Sequence, residues 1–317
     1  MNLKKRVLAL ALAVLMLAGL SVSALAADPG DIRVTIGADL NEDEINTVYG
    51  IFGVERGSVQ ELTVTNADER AYLEGVISDE AIGHRAISCV YLEVLDPGQN
   101  ITVRTENISY CTASMYISAL ATAGVTDAKV VVAAPFEVSG TAALTGIYKA
   151  YEVITGEPLD ELAKEVSSQE LAVTADLAQQ IGDADSVEIV NELKLILDET
   201  KKMDDAELRA QIIDIAKNYN VELTDNQINQ LIDLVRSLEK LDTGALLEKV
   251  RSVQDTLKQF VKASEKLSGF TESVKTFFQQ VGDKAVEVWN YILAWLVLRQ
   301  VPKDGMLYRK NFHTYWY

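Results

Sequence analysis

The sequence predicts an α+β protein: an N-terminal α/β layered domain with a mixed sheet, followed by an all-α helical bundle or stalk. Three observations carry this. Short β-branched runs alternate with amphipathic stretches across residues 31–156, as strands and helices packed in layers do. After Pro158 those runs give way to helical periodicity with few breakers. From Leu246 onward, apolar residues step by four and three, a heptad seam.

In chain order, 32–36 reads as a strand. Residues 41–52 read as a helix capped by Asn41, with Glu44 completing a capping box. Residues 58–65 alternate as a strand, and Asn66 then caps a helix to about 76 with Glu69 in the box position. Residues 86–95 and 101–109 are strands of a hairpin around Asp96-Pro97-Gly98-Gln99, where Pro presets one angle and Gly accepts a positive one. That hairpin sets Cys89 opposite position 106, roughly 16 Å along the strand from Cys111, so no disulfide is expected between them. Residues 112–123 form a helix ended by Gly124. The apolar run 128–134 is a central strand covered on both faces, stopped by Pro135. Residues 140–155 form a helix ended by Gly156.

Four capping boxes mark helix starts beyond Pro158: Ser167/Glu170, Asp185/Glu188, Asp204/Glu207 and Thr224/Gln227. The seam runs Leu246, Val250, Val253, Leu257, Phe260, Ser264, Leu267, then Val274 to Trp295 in the same phase. One bent helix and a hairpin at Ser268-Gly269 both fit, and helices in a bundle are a plainer form than a free coiled coil.

The two termini address location. Lys4, Lys5 and Arg6, the apolar stretch 7–20 and Ala24-Leu25-Ala26 make a secretory signal over residues 1–26, with cleavage expected before Ala27. Three regions follow: the α/β domain at 27–157, the helical region at 158–299, and a basic, aromatic tail at 300–317. Tyr291 and Trp295 lie in the apolar octet 291–298, too short to span a bilayer, and Trp316 in the tail beyond it, together placed to meet a membrane interface. A frayed tail after a buried helix is the plainer reading.

Composition excludes several classes. Lys plus Arg is 29 against 47 Asp plus Glu, a formal charge of −18 that loss of the leader's three cations takes to −21. Such a chain is ill suited to gripping nucleic acid. With two Cys and two His, no Cys-rich zinc site and no metal or cofactor is expected. His84 is a lone surface residue at a strand entrance; the adjacent Arg85 is a fixed cation suited to a carboxylate.

The most suggestive constellation is geometric. If the strands at 32–36, 58–65 and 128–134 run parallel, the loops after them share one edge of the sheet, where open α/β sheets place ligands. Those loops carry Gly37, Asp39, Asn66 and the run 135–141, which includes Glu137, Ser139, Gly140 and Thr141. The plainer account makes Asp39, Asn66 and Ser139 helix caps.

The runs VTIGADL (34–40), TVTNADERAYLEG (63–75), IGHRAIS (82–88), ALATAGVTDAKVVVAAPF (119–136) and VSGTAALTGIYKAYE (138–152) resemble the YpuA-like family of secreted Gram-positive proteins, a domain of unknown function. The resemblance covers about residues 31–300. It implies secretion and a cell-envelope setting and carries no activity or catalytic residue. The sequence alone therefore favours an exported, non-catalytic binding or interaction module whose partners are cell-wall or envelope components. One competing class is a hydrolase of wall material using carboxylates such as Asp39 and Glu137. The other is a peripheral membrane protein using 285–317.

Overall fold

The computed structural model describes residues 28–76 and 79–259. Five strands, β1 (Ile32–Gly37), β2 (Gln60–Val64), β3 (Cys89–Val94), β4 (Thr102–Ile108) and β5 (Ala128–Val138), form one mixed sheet in the order β2-β1-β3-β5-β4. β1 is parallel to β2, and β4 is parallel to β5. The central β3 is antiparallel to both of its neighbours, β1 and β5. Four strands therefore run one way and β3 runs against them.

The expected hairpin between β3 and β4 is overturned. The turn at residues 96–99 exists, but β5 inserts between the two strands, pairing Val90 with Val132 on one side and Thr105 with Val132 on the other. The apolar run of β5 needs two strand neighbours, and a local turn does not supply them. Pro135 does not end β5 either. Pairing with β3 stops at Ala133, and a bulge between Glu106 and Ile108 on β4 lets the strand pass the missing N–H. Asn107, at φ 59°, fills the gap by donating to the Ala134 carbonyl at 2.8 Å.

Alternation along the strands divides the core. Val34, Ile36, Cys89, Tyr91 and Val131 face helix α1 (Glu42–Phe52), whose Ile45, Val48 and Tyr49 close on them. Val90, Leu92, Val103, Val130 and Val132 face the opposite way, toward α4 (Ala113–Ala123) and α5 (Thr141–Thr155). Between α1 and α4 in the chain lie α2 (Asn66–Leu73) and the single turn α3 (Asp79–Ile82). Gly146 brings α5 close to the sheet: its carbonyl accepts from Thr35 Oγ1 at 3.1 Å, and an added Cβ would sit 3.3 Å from Thr35 and Val90 methyls. α4 is Ala-rich and buried from Met115 to Ala123, as a helix covered on all sides must be.

The remaining helices are α6 (Glu161–Ile181), α7 (Asp183–Leu195), α8 (Leu197–Thr200), α9 (Asp205–Asn218), α10 (Asp225–Leu238) and a further helix, α11, over residues 243–259. α6 is the shared wall. Its Leu171, Ala175 and Ala178 join the core under α4, while Val166, Val173 and Leu177 join a second core with α7, α9 and α10. The described residues thus belong to one compact unit.

Two of the four expected helix starts hold, Asp204/Glu207 and Thr224/Gln227. Ser167 and Glu170 instead lie mid-helix in α6, which Asp160 caps. Their side chains face inward: Ser167 bonds Tyr148, and Glu170 pairs with Lys194. Asp185 and Glu188 fall inside α7, which begins after Gly182. The first four seam residues, Leu246, Val250, Val253 and Leu257, are all buried and split between the two cores, so this part of the seam is an amphipathic helix packed on its own chain. The segment expected to be a secretory signal (1–26), the rest of the seam, and Tyr291, Trp295 and Trp316 lie outside the described residues.

Candidate functional site at the sheet edge

Because β1, β2, β4 and β5 share a direction, their carboxyl ends share one edge, and the start of β3 joins them there. Each exit is tied to its neighbour. Ala38 N–H donates to the Val64 carbonyl at 2.8 Å, Ser109 N–H to Val138 at 2.9 Å and Cys111 N–H to Ser139 at 3.1 Å. Asp39 accepts from the Ala86 N–H at 2.8 Å, while the Arg85 guanidinium donates to the Asp39 carbonyl at 2.7 Å. Gly37 is required by this closeness: a Cβ there would lie 2.3 Å from the Ala86 carbonyl oxygen. Gly140 adopts φ 95°, and a Cβ on it would meet Ile108 Cγ2 at 2.5 Å. Its carbonyl accepts from the Tyr116 hydroxyl.

None of the three polar residues expected as caps performs that role. Asn41 caps α1. Thr65 caps α2 in a box with Asp68. Gly140 precedes α5 with no side-chain cap. Asp39, Asn66 and Ser139 hold loop to loop instead. Shifting the cap from Asn66 to Thr65 frees Glu69 from the box and turns it inward.

Glu69 is the group that reading the sequence for caps missed. It is 1% exposed. Its carboxylate accepts from Thr141 Oγ1 at the start of α5 and from Asn66 Nδ2 at 3.2 Å. Thr141 Oγ1 lies 3.2 Å from Ser139 Oγ. Arg70 Nε donates to Asn66 Oδ1 at 3.0 Å and the same guanidinium reaches Asp79 and the Gly83 carbonyl. Burial pushes the Glu69 carboxyl up to about 7, against the opposing effects of Thr141, Asn66 and Arg70. The clue was periodicity: Glu69 stands four residues before the buried Leu73, on the same helical face.

Asn66, Ser139 and Thr141 are thus brought together around Glu69, and Gly37, Asp39 and Arg85 form an adjoining knot. Glu137 is not part of either. It lies within β5, exposed, not in a loop. Asp39, Arg85 and His84 are exposed as well. Cys89 and Cys111 are free and buried on opposite sides of the sheet, and burial pushes both thiols up to about 12, so neither supplies a thiolate. Among the described residues no group of His, Cys, Asp and Glu is arranged to hold a metal ion.

Fold and edge together define a class: an α+β protein with a mixed five-stranded sheet whose strand exits are locked to one another and whose outer face carries a helical layer. The matched family model, "Protein of unknown function (DUF1002)", spans residues 36–269, and the chain belongs to that family. It is similar to "Uncharacterized protein YpuA" of Bacillus subtilis (strain 168), 40% identical over 288 residues, which cover 90% of this chain and 96% of the relative. No solved structure matches the chain.

Proposed function

We propose that this protein is an exported, envelope-associated binding or interaction module without catalytic chemistry. The observation that carries the reading is the closure of the sheet edge. Asp39, Glu69, Arg70 and Tyr116 spend polar groups on other segments: Asp39 on the Ala86 N–H, Glu69 on Thr141, Arg70 on the Gly83 carbonyl and Tyr116 on the Gly140 carbonyl. Groups committed in this way hold a rigid platform. The buried Glu69 meets two neutral donors and no second carboxylate, whereas sugar hydrolysis needs two carboxyls about 5 to 9.5 Å apart around the bond. Export is supported by the basic, apolar and small-residue segments of residues 1–26. Among the described residues no helix is long and apolar enough to cross a membrane.

The test is co-sedimentation of the mature chain with purified cell-wall sacculi and, separately, with anionic liposomes, each followed by analysis of the supernatant. Retention on sacculi with no soluble sugar or peptide released supports the reading. Release of wall fragments overturns it in favour of a hydrolase. Retention on liposomes alone overturns it in favour of a peripheral membrane protein, and retention on neither removes its basis.

A further inference from the structure

At the opposite end of the sheet from the tied exits, a cavity of about 160 Å³ lies among the β3–β4 turn, the α4–β5 turn and α11. Its apolar floor is Ile101, Ala121, Val125 and Val253, and its polar groups include Asp127 and Lys249. The turns around it are held in a fixed shape. Asp127, at φ 45°, uses one carboxylate oxygen to accept from the N–H groups of Gly98 at 2.9 Å and Asn100 at 2.8 Å. Its other oxygen takes no hydrogen bond from the described residues. Lys249 Nζ lies beside Gly124, the residue that ends α4, where a helix C-terminus favours a cation. That ammonium makes no hydrogen bond or ion pair among the described residues. Two residues of opposite charge therefore line one small cavity, and no ion pair joins them.

We infer that this cavity binds a small zwitterionic amino acid with a short aliphatic side chain, its carboxylate on Lys249 and its ammonium on the free oxygen of Asp127. An anion alone would meet Asp127, and a cation alone would meet Lys249; only a molecule carrying both charges satisfies both walls. The size agrees. A cavity of about 150 Å³ accommodates benzene, whose six non-hydrogen atoms equal those of alanine. The apolar floor takes the methyl group. This site is independent of the wall-binding reading and shares no residue with the tied edge.

The experiment is an NMR titration of the full mature chain with alanine, with propionate and ethylamine as single-charge controls, following the Gly98 and Asn100 amides. Saturable shifts with alanine, at least about tenfold weaker with either control, are expected. Lys249→Gln should weaken alanine binding by a similar factor while leaving the amide spectrum of the free chain in place. Asp127→Asn retains the acceptor for Gly98 and Asn100 and should weaken it as well. No saturable shift with alanine, binding equal to that of propionate, or unchanged binding by the Lys249→Gln chain would each overturn the assignment.

Discussion

Replacing Glu69 by Gln removes a charge while keeping the shape of the side chain, and the structure fixes what should follow. In the unfolded chain the carboxyl ionises near 4.5, whereas in the folded chain burial holds the proton until about 7. Between those values the folded state binds more protons than the unfolded one, so this group's contribution to stability is fully present below about 4.5 and falls as pH rises through about 7. A shift from 4.5 to about 7 corresponds to about 3 kcal/mol. Gln stays neutral throughout. It offers one acceptor oxygen where the carboxylate offered two, so either Asn66 Nδ2, whose own oxygen is held by Arg70, or Thr141 Oγ1 loses the oxygen it donates to. That mismatch costs about 1 to 3 kcal/mol at every pH. The E69Q chain should therefore be the less stable protein at pH 4 and should gain about 3 kcal/mol relative to the parent by pH 8. Urea unfolding of both proteins at several pH values measures the difference, which cancels the many other carboxylates of this acidic chain. A stability difference that does not change with pH would refute the argument.

Other outcomes follow from packing. Lys194 and Glu170 are paired at 2.8 Å with essentially no exposure, among Ser118, Thr122 and Asn191, so Lys194→Met should cost about 3 to 5 kcal/mol. The double change K194M/E170L should recover part of that loss in urea unfolding; a single-variant cost below about 1 kcal/mol would contradict the pairing. Gly37→Ala drives a methyl into the Ala86 carbonyl and should lower stability by about 1 to 3 kcal/mol or more, read as a fall in the urea midpoint at constant slope. With both thiols buried and held protonated, a thiol reagent at pH 8 should label native Cys89 and Cys111 only as fast as the chain opens, and both at once in urea. Rapid labelling of the native chain would count against their burial.

What the sequence revealed and concealed has a physical pattern. Local signals translated well: the Asn41/Glu44 box, the Gly124 and Gly156 helix stops and the apolar run of β5 all appear where their chemistry places them. The parallel course of β1, β2 and β5, which the sequence posed only as a condition for a common edge, is met in the sheet. Long-range choices were hidden. Nothing near residues 96–99 says that a strand from 30 residues on will separate β3 from β4. Ser167/Glu170 and Asn66/Glu69 have the spacing of a helix start, yet their polar groups serve distant partners, Tyr148, Lys194 and Thr141. A capping box and a buried polar pair present the same residue types, and only tertiary contacts tell them apart. Asn66, Ser139 and Thr141, and separately Gly37, Asp39 and Arg85, do lie at the edge, whereas Glu137 does not join them and Glu69 was hidden, because which loop lies opposite is a tertiary choice.

The sheet order underlies every statement about the shared edge, and backbone NOEs of the labelled chain test it most directly. The account predicts antiparallel contacts between Val90 and Val132 and between Thr35 and Val90, with parallel contacts between Thr105 and Val132. Direct cross-strand contacts between β3 and β4, as in a hairpin around Pro97 and Gly98, would contradict it.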